Sequence, residues 1–148
     1  MGSNRLLFLA AAGLFFILSS SFSNPEENTA TLTIEVTNIQ NTKGVIEIGL
    51  YDNAEDFPDP EKQFKFRRIK PTGEKLKYKF TGLKPGKYAI ALYHDENSDK
   101  VCNKNAIGIS TEAYAFSRNF RPKLKAPKFT DVYVSVKEKR YVIIDLVY

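Results

Sequence analysis

From Thr31 onward, apolar and polar side chains alternate with a period of two rather than the 3.6 of a helix. In TLTIEVTNI, Leu32, Ile34 and Val36 share one face and Thr31, Thr33, Glu35 and Thr37 the other. GVIEIGLY turns Ile46, Ile48 and Leu50 inward, and KLKYKF sets Leu76, Tyr78 and Phe80 against Lys75, Lys77 and Lys79. KYAIALY is apolar on both faces, which predicts a central strand. FKFRRI, residues 64–69, reads as an edge strand, and DVYVSV with YVIIDLVY as a closing hairpin joined through Lys137, Glu138 and Lys139.

No segment carries a sustained helical stripe with caps. Six or seven short strands separated by turn residues predict an all-β fold, an antiparallel sandwich. Lys84-Pro85-Gly86-Lys87 predicts a type II turn, with proline presetting the second position and Gly86 supplying positive φ at the third. The rhythm breaks from about Asp95 to Lys128. An irregular stretch that long inside a compact domain is expected to be functional or pinned in place.

The N-terminus has a different pattern. One basic side chain, Arg5, precedes the unbroken apolar run Leu6–Leu18, and small residues follow. That order is expected of a secretory signal peptide, cleaved after Ser23 by the small-x-small rule at Ser21 and Ser23. At about 1.5 Å per residue the run is too short to cross a hydrocarbon core of about 30 Å, so no transmembrane segment is expected after its removal. The expected organisation is therefore a signal peptide over 1–23, a linker over 24–30 and one sandwich domain over 31–148, located in the periplasm or secreted.

Composition adds two constraints. Cys102 is the only cysteine, so no internal disulfide can form. The chain carries +5, and basic clusters lie at Lys62, Lys65, Arg67, Arg68, Lys70 and again from Arg118 to Lys128. Such clusters attract phosphates or anionic surfaces, but an exported protein is not expected to meet nucleic acid. The expected partner is an envelope protein or a glycan.

Candidate chemistry concentrates in HDENSDKVCNKN, residues 94–105. Alternating short oxygen-bearing side chains can aim ligands at one hard cation. As a calcium-type site the set is Asp95, Asn97, Asp99, the Val101 carbonyl and Asn103, with Glu112 returning from downstream. Lys100 stands where the sharp turn of such loops wants glycine. The competing structural reading is an Asx-rich turn satisfied by its own backbone amides. A hydrolase built on His94, Asp95 and Glu112 is the catalytic alternative, although a single histidine excludes the two-His and three-His zinc sites. Tyr114, Phe116 and Phe120 place aromatic area in the loop, either as a binding platform or as its anchor.

The linked run GLKPGKYAIALYHDENSDKVCNKNAIGISTEAYAFSRN resembles the motif of a bacterial exported family, domain of unknown function 2141. His94, Asp95, Glu96, Asn97, Asn105, Gly108, Glu112, Tyr114, Phe116, Ser117 and Asn119 match its pattern. Lys100 replaces a glycine, Asn103 an aspartate, Ser110 a proline, and Ala113 and Ala115 two glycines. The resemblance implies a sandwich fold with a site around residues 94–119, where Tyr114, Phe116 and Asn119 form a candidate binding surface. Lys100 and Asn103 both weaken a cation site. The resulting expectation is a non-catalytic binding or accessory module of the cell envelope, with a weak Ca2+ site in the 95–112 loop as an added feature.

Overall fold

The computed structural model describes residues 29–108, 110–123 and 125–148. The expected signal peptide and most of the linker lie outside the described residues.

Two sheets face each other. The first contains β4 (Leu76–Leu83), β1 (Ala30–Thr37) and β8 (Lys139–Asp145), in that order. The second runs β3 (Lys65–Ile69), β2 (Val45–Tyr51), β5 (Gly86–Asp95) and β6 (Tyr114–Phe116), and β7 (Val134–Val136) also pairs with β5, at its start. The fold is thus an all-β sandwich, as the alternation predicts.

The inward residues are those the pattern selects. Leu32, Ile34, Val36, Ile46, Ile48, Leu50 and Ile90 are fully buried between the sheets. Each such side chain contributes about 2 kcal/mol by leaving water. A second apolar cluster lies on the outer face of the larger sheet, where Tyr51, Phe57, Ala89 and Val132 pack with Phe116, Phe120 and Phe129. The Phe57 ring meets Tyr51, Phe116 and Phe129 edge-on, at centroid distances of 5.1, 6.0 and 6.2 Å.

Three local expectations are corrected. The closing hairpin does not form, because β7 pairs antiparallel with β5 while β8 pairs parallel with β1. The two partners instead each cover a strand edge of a different sheet, β8 that of β1 and β7 that of β5. The β1–β8 pair also makes the sandwich antiparallel in every pairing but one. Finally, Gly86 opens β5 without positive φ, and it is Gly82 that takes the left-handed conformation, at φ 64°. The β4–β5 link crosses from one sheet to the other, so no hairpin turn is required there.

The irregular stretch is also shorter than its sequence suggests. Tyr114–Phe116 adds β6, Ser117–Asn119 forms a 3-10 turn, and Phe129–Val132 a single helical turn, α1.

Candidate functional site

The site grows from the C-terminal end of β5. Adjacent strand residues point to opposite faces, so His94 joins the core face with Leu92 while Asp95 joins Tyr93 on the outer face. Both are completely buried. They cannot act together as a His–Asp pair, and each is occupied separately.

His94 Nε2 lies 2.8 Å from the Lys43 carbonyl, which can only accept, so this nitrogen carries the proton. Nδ1 lies 3.3 Å from Tyr148 Oη and 4.0 Å from Glu96 Oε1. The His94 amide donates to the Ala113 carbonyl at 2.8 Å, fastening the returning loop. The ring therefore ties together the β1–β2 loop, the end of β5 and the C-terminal residue.

Asp95 is the root of the polar loop. Its Oδ1 accepts the Asp99 amide at 3.1 Å and its Oδ2 the Lys100 amide at 3.0 Å. Arg68 Nη2 also donates to Oδ2, and Nη1 donates to Glu47 Oε2 at 2.5 Å. Gln63 Nε2 donates to the other Glu47 oxygen at 3.1 Å. Register explains this geometry, since Arg68, Glu47 and Tyr93 are cross-strand neighbours on β3, β2 and β5. One guanidinium thus neutralises two buried carboxylates with a planar fork. Burial pushes the Tyr93 phenol well above its ordinary value, and the nearby Glu47 carboxylate adds to the effect.

Beyond Asp95 the loop closes on Asp99. Asn97 Nδ2 and Asn103 Nδ2 donate to Asp99 Oδ2 at 2.9 and 3.0 Å, and the Val101 amide donates to Oδ1 at 2.9 Å. The Val101 amide and the Asn103 side chain hold the Asp99 carboxyl below its ordinary range. Ser98 and Lys100 both adopt positive φ, at 61° and 68°. Lys100 thereby takes the conformation that the glycine of a cation loop supplies.

Glu112 meets the loop from the other side, accepting the Asn103 amide on Oε2 at 3.2 Å. Its carboxyl is pushed up, first by burial and then by the Asp95 and Asp99 charges. Cys102 is half-buried with Sγ 3.3 Å from Ser110 Oγ, and burial raises its thiol. Asp95, Asn97, Asp99, Val101, Asn103 and Glu112 are therefore linked by one hydrogen-bond network. In it the amide groups of Asn97 and Asn103 present donors, and every Asp95 oxygen is already engaged. Among the described residues, no group of three or more His, Cys, Asp and Glu side chains is arranged to hold a metal.

The aromatic residues of the loop are half-buried. Phe116 packs into the outer cluster, and Tyr114 exchanges backbone hydrogen bonds with Val147 at 3.0 Å in both directions. Asn119 Oδ1 accepts the Asp145 amide at 2.8 Å. The fully buried Ser117 hydroxyl accepts the Ile90 amide at 3.0 Å and donates to the Ile90 carbonyl at 3.4 Å. Tyr114, Phe116 and Asn119 are used to seat the loop against β5 and β8.

Sequence reasoning passed over Arg68 and Glu47. Glu47 was visible as the one charge inside the apolar run VIEIGLY, on its outward face. Arg68 was hidden in a run of cations, because nothing local separates a solvated guanidinium from one that reaches across a neighbouring strand.

Fold and site together define a two-sheet all-β module whose polar loop is rooted on a central strand and clamped by an arginine. The chain belongs to the bacterial family described as "Uncharacterized protein conserved in bacteria (DUF2141)", which it matches over residues 34–144. No curated protein and no solved structure gives a significant match.

Proposed function

We propose that this protein is an exported, non-catalytic binding or accessory module of the bacterial cell envelope. One observation carries the non-catalytic reading: His94 and Asp95 are fully buried, lie on opposite faces of β5, and are each engaged, His94 by the Lys43 carbonyl and Asp95 by the amides of the polar loop. A general base must reach the proton it removes, and His94 sits in the core. The leader-like sequence of residues 1–23 supports export.

Two measurements test this. Expressed with its full N-terminus, the protein should be recovered in the exported fraction with a mass lacking about the first 23 residues; recovery of the full-length mass from the cytosol would reject export. The purified protein should hydrolyse 4-nitrophenyl esters, phosphates and glycosides no faster than a folded His94→Gln variant. Saturable turnover lost in that variant would reject the non-catalytic reading.

A weak calcium-type cation in the loop is the second reading, favoured by the left-handed conformation of Lys100 beneath the Asp99 cluster. Its test is thermal unfolding in EDTA and in calcium. Binding with a dissociation constant of about 0.1 mM would stabilise by roughly 1.4 kcal/mol at ~1 mM calcium, a rise of about 4–7 °C. No shift at ~10 mM would reject it.

A further inference from the structure

β3 and β4 are the end strands of their sheets, and one groove runs between them. Its walls carry Phe64, Phe66, Lys65, Arg67, Tyr78 and Lys79, and among the described residues no carboxylate lines it. Phe64 and Phe66 are 45% and 52% exposed, large apolar area for an edge strand. Arg67 Nε donates to Tyr78 Oη at 2.7 Å across the groove, and its guanidinium lies 5.9 Å from the Tyr78 ring centre. Lys65 sits 5.7 Å from the Phe64 ring centre.

We infer that this groove binds an extended acidic segment of a partner protein, added as a strand to the free edge of β3. Three features converge on that chemistry. An end strand offers unpaired backbone donors and acceptors along one side, which an incoming strand satisfies. The charged residues that line the groove are the cations Lys65, Arg67 and Lys79, so carboxylates at alternate positions of the segment meet them while the intervening apolar residues cover Phe64 and Phe66. The same cations work against pairing with a second copy of the strand, since KFRRIK would place like charges opposite each other. Inward-pointing charges of this kind are a device that blunts edges against indiscriminate pairing; here they leave an acidic strand as the favoured occupant. Register places Arg67 and Lys65 opposite Ile48 and Leu50, on the core side of β3, the side from which Arg67 reaches Tyr78 across the groove. The groove does not include the 96–112 loop, so the inference stands whether or not that loop takes a cation.

The experiment uses the mature protein and a fluorescent peptide of alternating glutamate and valine, followed by anisotropy. Controls are the lysine–valine counterpart, and the acidic peptide N-methylated at alternate amides in each register. The acidic peptide should bind and weaken as salt is raised. It should lose at least about tenfold in affinity against Lys65→Glu/Lys79→Glu, a pair that leaves the Arg67–Tyr78 hydrogen bond in place, and a comparable amount when N-methylated on the pairing side. Phe66→Ser, which alters no charge, should weaken binding as well, with unchanged circular dichroism showing that both variants fold. Absence of binding, or binding indifferent to charge reversal, would overturn the inference. So would binding that survives N-methylation in both registers. Tighter binding of a sulfated polysaccharide that displaces the peptide would assign the groove to a polyanionic glycan instead. Self-association in sedimentation that disappears in Phe66→Ser would assign it to a second copy of the chain.

Discussion

Arg68 on β3 spans the width of β2 to meet the buried carboxylate of Asp95 on β5, and on the way it pairs with Glu47. The carboxylate so neutralised is the one that organises the polar loop through the amides of Asp99 and Lys100. A charge on an edge strand thus supports a loop two strands away.

Removing that cation should be costly. Arg68→Met leaves Asp95 buried without its counter-charge, and breaking a buried pair on one side typically costs about 3 kcal/mol or more. Arg68→Lys keeps the charge but loses the fork that serves two carboxylates, so its loss should be smaller. Urea unfolding measures both. Amide hydrogen exchange at Asp99 and Lys100 should quicken in Arg68→Met before global unfolding.

Gly44 and Gly82 both hold positive φ, at 54° and 64°, yet they should respond differently to alanine. A Cβ on Gly44 would lie 1.8 Å from the Asp95 carbonyl oxygen, whereas a Cβ on Gly82 meets nothing within 4 Å. Gly82→Ala carries only the left-handed penalty of about 1 kcal/mol. Gly44→Ala must also displace the end of β5, and a loss above about 3 kcal/mol is expected. Equal unfolding midpoints would show that the β1–β2 loop does not press on the site.

The outer face of the smaller sheet should set part of the acid sensitivity. Glu35 is held below its ordinary 4.5, first by the Tyr141 hydroxyl and then by Lys77. A depressed carboxyl contributes stability above the unfolded value and loses it as pH falls through the folded value. Tyr141→Phe removes the largest cause. Below pH 4.5 the wild type should therefore lose stability more steeply than the variant, and the two curves should converge at low pH. Parallel curves would mean that the Glu35–Tyr141 contact does not persist in solution.

Cys102 should be a slow nucleophile. Burial pushes its thiol above the ordinary 9.0, while the Ser110 hydroxyl partly opposes the shift. The pH profile of iodoacetamide alkylation should have its midpoint above that value, because the thiolate is the reacting form. Ser110→Ala removes the opposing hydrogen bond and should move the midpoint further up. A midpoint below 9.0 would reject the buried placement.

Local alternation by itself determined which side chains enter the core. Leu32, Ile34, Val36, Ile46, Ile48 and Leu50 are inward as their period of two requires, and β5 is central because both its faces are apolar. FKFRRI is an edge strand as its charges suggest. The run from about Asp95 to Lys128 was legible as a special segment because its residue types break that period. Only the tertiary structure decided which strands meet. β7 and β8 are adjacent in sequence but complete different sheets, because a strand's alternation records its buried face and carries no label for its neighbour. The same distinction separates Arg68 from its basic neighbours and His94 from Asp95. Pairing register set Arg68 beside Glu47 and within reach of Asp95, and the pleat of β5 turned the adjacent His94 and Asp95 to opposite faces.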